Sequence, residues 1–231
     1  IMRYYVNGKE IVFVKKIGEG EEADVYLTDD KQVAKIFKSD RRVDIRKPDL
    51  EFYKYLMNFD LSSFYFPTGI IYNEAGLFSG CTMNYFENGY NLSLSQDDNI
   101  ADVIKKLRLL EEEIKFISDN HINAFDVKST DIKVNDSTIG VFDIGLYFYS
   151  NSTDLLKDNL ITINYALRSG LLWQYKDKMK QELKAYDLPY EYDNLDTSIV
   201  YLSDILYNET NKYKVKTISE LKGIYKNSKF C

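Results

Sequence analysis

The chain has 231 residues, 45% hydrophobic and 29% charged, which excludes disordered and collagen-like classes and suits one domain or two small lobes sharing a cleft. A formal net charge of −6 argues against a nucleic-acid binder, whose domains are usually basic. The apolar runs are too short to span a bilayer, two cysteines (Cys81 and Cys231) cannot build a disulfide framework, and the single histidine, His121, nearly excludes Cys/His metal sites. The expectation is a reducing, bacterial cytoplasm, with no membrane insertion and no nucleic-acid partner.

The first ninety residues read mainly as strands. Residues 4–6 and 11–14 flank Asn7-Gly8, a dipeptide that tolerates the positive φ angles of a tight hairpin turn. Residues 25–27 and 33–37 flank the polar turn Asp29-Asp30-Lys31, and residues 70–72 and 78–85 flank Asn73 to Gly76. Between the last two hairpins, residues 50–59 read as a helix. From about residue 97 the period changes. Ile100, Val103, Ile104, Leu107, Leu110, Ile114 and Ile117 form one apolar stripe at steps of three and four, with Lys105, Arg108, Glu112 and Lys115 facing away. Asn120 is the expected stop, and His121 is read as part of the helix exit. Residues 132–134 and 138–142 flank Asn135-Asp136 as a further hairpin. From Asp158 onward three or four helices are expected, the first over 160–173. The Asn-, Gly- and Ser-rich stretch 86–96 marks a boundary. The expected fold is α+β: a strand-rich lobe over 2–86 and a mainly helical lobe over 87–231.

Four short segments carry candidate chemistry. Gly18-Glu19-Gly20 lets backbone amides approach a phosphate closely, although a glycine-bearing hairpin turn accounts for the same residues. Lys35 lies between apolar residues in mid-strand, where its ammonium must reach a carboxylate, a phosphate or solvent. Asp126 and Asp131 lie between the long helix and a hairpin, and Asp143 lies at that hairpin's end. Three carboxylates on two adjacent loops suggest a divalent metal. Magnesium takes hard oxygen ligands, usually one or two carboxylates plus the substrate's phosphates. Asp also favours turns, so each alone has a simpler explanation.

In order and context the four segments resemble the protein-kinase-like fold, over roughly residues 11–170. Gly18 and Gly20 fall on the glycine-rich loop, and Val25 on its following valine. Lys35 falls on the lysine that positions ATP, with Glu51 as its ion-pair partner and Asp49 as the next choice. Asp126 falls on the catalytic-loop aspartate, Lys128 on the lysine two residues later, and Asp131 where the family has a metal-binding Asn. Asp143-Ile144-Gly145 stands for Asp-Phe-Gly. The resemblance implies ATP and Mg2+ as cofactors, a hinge over 83–86 with Met83 and Tyr85 against the adenine, and Asp131 and Asp143 as metal ligands. Asp126 would accept the proton of the attacking hydroxyl and Lys128 would offset charge on the γ-phosphate.

The chain also departs from that pattern. Ala23 replaces the third glycine, and Glu19, Glu21 and Glu22 bring negative charge near the expected phosphates. Ala124-Phe125 replace the usual His-Arg, and no full peptide-docking activation segment fits after Gly145. The resulting expectation is a compact kinase-like phosphotransferase acting on a hydroxyl of a protein (Ser/Thr) or a small molecule. The alternative is a pseudokinase that senses nucleotide or binds a partner. Transfer of AMP would reuse the same ligands. The C-terminal twenty residues carry six lysines against Glu220 alone, read as a solvated helix face.

Overall fold

The structure, a computed structural model, describes residues 2–38, 48–91, 99–172, 206–208 and 210–227. The chain divides into two compact units. One comprises Ile1–Glu87 with Ile144–Leu146, and the other comprises Asn88–Asp143 with Tyr147–Cys231.

The first unit is built on an antiparallel seven-stranded sheet. Its strands are β1 (Tyr4–Val6), β2 (Lys9–Glu10), β3 (Phe13–Glu19), β4 (Ala23–Thr28), β5 (Gln32–Phe37), β6 (Pro67–Asn73) and β7 (Phe78–Asn84). The order across the sheet is β2-β1-β6-β7-β5-β4-β3. The Asn7-Gly8 turn forms as expected, with both residues at positive φ (50° and 77°). Its partner strand differs from expectation. A two-residue turn places the residues immediately after it opposite β1, so Lys9–Glu10 close the hairpin. Residues 13–19 leave to pair with β4 instead. The hairpins β4–β5 and β6–β7 form about the expected turns.

Helix α1 (Leu50–Leu56) opens on Asp49, whose carboxylate accepts from the backbone of Glu51 and Phe52. It ends before the expected residue 59. The Asn58 side-chain amide donates to the carbonyls of Lys54 and Tyr55 and so takes up the acceptors that would continue the helix. Ala34, Ile36 and Ile71 form the core on one sheet face, joined by Tyr4, Val6, Ile11, Phe13 and Tyr26. On the opposite face Phe37 meets Tyr53 of α1 edge-on at 5.7 Å.

The second unit is organised by α2 (Ile100–Asp119) and α3 (Leu155–Leu172). The α2 stripe Ile100, Val103, Leu107, Leu110, Ile114 and Ile117 is buried, each side chain worth roughly 1.5–3 kcal/mol. The helix runs from the Asn99 cap to Asn120. His121 follows at φ 59°, a left-handed exit that stops the helix. Strands β8 (Tyr90–Asn91), β10 (Ile132–Val134) and β11 (Ile139–Val141) make a three-stranded sheet, while β9 (Ile122–Asn123) pairs with β12 (Phe148–Tyr149). Helix α3 starts five residues before the expected 160. Ser152 Oγ accepts from Asp154 N, and the Asp158 N–H already bonds back to the Asp154 carbonyl. Helix α4 (Ile218–Asn227) lies on the C-terminal side. Trp173, Lys229, Cys231 and part of the 86–96 boundary stretch lie outside the described residues.

Candidate functional site

In the first unit the strand register brings together Gly18, Val25, Lys35 and Met83 of the expected nucleotide-binding residues. Residues directly opposite one another in an antiparallel pair share a face. Gly18 opposes Val25, Val25 opposes Lys35, and Lys35 opposes Cys81. These four form one row across β3, β4, β5 and β7. The next row includes Leu27, Val33 and Met83. Gly18 is packed close to the row, since a Cβ there would meet the Val25 Cβ at 3.4 Å. Gly20 lies at the β3–β4 turn and donates its N–H to the Ala23 carbonyl at 2.9 Å. Lys35 is only 8% exposed. Burial pushes the neighbouring Cys81 thiol up to about 12, against an opposing pull from the Lys35 charge. Met83 is buried and Tyr85, just beyond the end of β7, is exposed.

One neighbour of Lys35 explains how β7 fits beside it. A Cβ at Gly80 would overlap the Lys35 carbonyl oxygen and lie 3.1 Å from its carbonyl carbon. Glycine is therefore required where the two backbones approach.

Glu51 is not the buried partner expected for Lys35. The apolar stripe of α1 is Phe52, Tyr53 and Leu56, which leaves Glu51 on the outer side of the helix. Its side chain is 78% exposed and bonds to Lys54 Nζ at 2.7 Å. Asp49, the next choice, is committed to capping the helix.

Of the acidic residues expected near the phosphates, Glu19 instead joins an ion-pair network with Asp24. Lys16 Nζ lies 2.8 Å from Glu19 and 3.2 Å from Asp24, and Lys38 Nζ lies 3.3 Å and 3.5 Å from the same two. Asp24 opposes Ile36, so the network belongs to the face away from Lys35. These lysines hold the Glu19 carboxyl below its ordinary value, chiefly through the hydrogen bond from Lys16.

In the second unit the β10–β11 hairpin brings two expected ligands together. Ile132 opposes Val141, so Asp131, just before β10, meets the segment just after β11. The Phe142 N–H donates to the Asp131 carbonyl at 2.8 Å, and Asp143 follows. Asp131 Oδ2 accepts from Lys128 N at 2.9 Å and Oδ1 from the Thr130 hydroxyl at 3.2 Å. Burial pushes the Asp131 carboxyl up from its ordinary value; the bond from Lys128 N opposes this, and the charge of Asp143 adds to it. Lys128 Nζ lies 3.1 Å from Asp126 Oδ2, and that contact holds the lysine's pKa up. Asp126 and Asp143 both sit at positive φ, 58° and 61°, in a region non-glycine residues visit rarely and Asp most readily.

Asn159 of α3 is a residue the sequence reading missed. It is fully buried. Its Oδ1 accepts from Ala124 N at 2.7 Å, and its Nδ2 donates to Ser118 Oγ at 2.9 Å and to the Ile122 carbonyl at 2.8 Å. It thus fixes the end of α2, strand β9 and the backbone two residues ahead of Asp126. The available signal was its place on the apolar stripe Leu155, Asn159, Ile163 and Ala166, where a polar side chain must find partners.

Among the described residues, no group of three or more His, Cys, Asp or Glu side chains is spaced to hold a metal alone. Asp131 and Asp143 are two adjacent carboxylates, one with its charge disfavoured by burial and by the other. That donor set suits magnesium, which commonly takes one or two carboxylates and completes its shell with water and phosphate.

The α+β arrangement, an antiparallel sheet with helices, is compatible with a kinase-like lobe. A chain of a solved structure, described as the CAK complex from Chaetomium thermophilum bound to ATP-gamma-S, is similar with a TM-score of 0.50 at 18% identity. The match covers 62% of this chain and 49% of that one, so this chain accounts for about half the length of the structure it resembles. No family model matches the sequence, and no curated protein does. Among the described residues, no helix is long and apolar enough to cross a membrane.

Proposed function

We propose that the protein is an ATP- and magnesium-dependent phosphotransferase acting on a hydroxyl of a protein Ser/Thr or of a small molecule. The observation that carries this reading is the grouping of Asp126, Lys128, Asp131 and Asp143 on two loops of the second unit, with Lys128 on Asp126 and the charge of Asp143 acting on Asp131. Phosphoryl transfer needs positioning and charge neutralisation more than covalent chemistry. Asp131 and Asp143 would hold magnesium, which when bound supplies neutralisation of the developing phosphate charge. Asp126 orients the acceptor hydroxyl and takes its proton as the hydroxyl oxygen bonds to the γ-phosphorus and the bond to the ADP oxygen breaks. Lys128, already at hydrogen-bond distance from Asp126, offsets charge on the γ-phosphate. In the first unit Lys35 would meet the α- and β-phosphates, Gly18 and Gly20 would cover them, and Val25, Met83 and Tyr85 would border the adenine.

The outward Glu51 favours a second reading, a pseudokinase that binds nucleotide or a partner without transfer. Incubation with γ-labelled and, separately, α-labelled ATP in magnesium decides between them. Label from the γ position supports the kinase, label from the α position an AMP transferase. Nucleotide binding without any transfer supports the pseudokinase.

A further inference from the structure

Tyr147 stands four residues after Asp143, between a 3-10 turn (Ile144–Leu146) and β12. It is 3% exposed. Its hydroxyl is shut off from solvent and has no hydrogen-bond partner among the described residues. A buried phenol usually finds a partner, and phenylalanine would fill nearly the same volume without an unpaired polar atom. Burial raises the phenol's pKa, and the charges of Asp131 and Asp143 raise it further. The hydroxyl therefore lies within the field of both carboxylates while bonded to neither. Asp131 has acceptor capacity to spare, since it uses one lone pair on each oxygen, for Thr130 and Lys128.

We propose that Tyr147 is a positioning residue for the Asp131–Asp143 pair, its hydroxyl donating to one of these carboxylates when the pair holds a divalent cation. The inference rests on the metal-ligand assignment made above and adds a residue to it. Carboxylates that bind metals are themselves hydrogen-bonded, and those outer partners set which oxygen faces the ion. With a cation held by the pair, the hydroxyl would have a carboxylate acceptor whose orientation it fixes. Tyr147 does not touch the reacting atoms.

The test is Tyr147→Phe in the full chain. Mn2+ is the probe, because it takes carboxylate and water ligands and its free form is counted directly by electron paramagnetic resonance. Titrations run with Mn2+ alone and with Mn2+ plus ATP. The variant should melt no lower than the parent without ligand, since the lost hydroxyl had no partner. Its Mn2+ dissociation constant should rise about tenfold in at least one arm, the lower end of what outer partners contribute. Equal Mn2+ affinity in both arms, no Mn2+ binding by the parent in either arm, or a destabilised ligand-free variant would each overturn the proposal. Melting of the parent with ATP tests the phosphotransferase reading separately. If ATP leaves it unmoved while the Mn2+ difference persists, the nucleotide reading falls and the role of Tyr147 stands.

Discussion

Replacing Asn159 by alanine should loosen the support beneath Asp126 while touching none of the proposed catalytic groups. Three hydrogen bonds of 2.7–2.9 Å disappear. The consequences for their partners differ. Ser118 Oγ keeps its 2.7 Å bond to the Ile114 carbonyl, so its loss is small. The Ala124 N–H is left buried without its acceptor, and the Ile122 carbonyl loses one donor. An unsatisfied buried group costs about 1–3 kcal/mol. One full loss and one partial loss therefore sum to roughly 2–4 kcal/mol, before any small cavity is counted. For a chain of this size the melting temperature should fall by roughly 5–15 °C. Urea unfolding is the assay, read as a lower midpoint at unchanged slope, which marks a change in stability rather than in the unfolded state. Asn159→Asp provides the contrast. It keeps an acceptor for Ala124 N–H but loses both donated bonds and buries a charge, so it should cost at least as much. An alanine variant that loses less than about 1 kcal/mol would refute the claim that this network holds the Asp126 loop.

Gly80→Ala should cost roughly 1–3 kcal/mol or more, because the new Cβ meets backbone of Lys35 and Ile36 that has no rotamer to yield. Gly223→Ala, in the open on α4, should be neutral or stabilise by up to about 1 kcal/mol; urea midpoints check both. Asp143→Asn should weaken magnesium-dependent ATP binding, measured by calorimetry, whereas Asp126→Asn should leave that affinity nearly intact and lower label transfer roughly a hundredfold or more. The Asp131 carboxyl is raised in the folded chain, so its contribution favours folding most below the unfolded value and diminishes as pH rises through the folded one. Asp131→Asn should therefore raise the ligand-free melting temperature at pH 7 relative to the parent and lose that advantage in strong acid, as followed by thermal unfolding across pH. Glu19 has the opposite sign. Its folded pKa is depressed, so its contribution is present above the ordinary carboxylate value, fades as pH falls through the folded value, and should be absent from Glu19→Gln.

The sheet around Lys35 was legible because its strands alternate and its turns carry their own chemistry. Asp29-Asp30-Lys31 and Asn73 to Gly76 fixed which strands were neighbours, and the pairing of Lys35 with Val25 follows from that register. The family order assigns Glu51 to Lys35 without regard to the facing of α1. The stripe Phe52, Tyr53 and Leu56 turns Glu51 outward, and that periodicity is visible in the sequence. The β1 partner is harder to read: Lys9–Glu10 are polar and exposed, so nothing in their hydropathy announces a strand, and only the two-residue turn dictates it. Asp131 and Asp143 were legible as loop carboxylates, but their mutual proximity depends on the pairing of Ile132 with Val141. No motif in the local sequence singles out Asn159 or Tyr147. What distinguishes them is the number of partners each polar atom finds, three bonds in one case and none in the other, and that emerges only when separate segments pack.

The left-handed backbone at Asp126 and Asp143 limits how these positions can drift even in a lineage that has abandoned chemistry. Glycine, asparagine and aspartate tolerate that conformation best, whereas alanine or a β-branched residue would tax folding directly. A relative that has lost the activity should therefore still carry Asp, Asn or Gly at both places. Among such relatives a retained aspartate testifies partly to geometry, and exchange to asparagine is the cheapest mark of lost transfer. Lys128, which carries no positive φ, is free of that constraint. Its replacement across a set of relatives would be the more informative record of when selection for transfer ended.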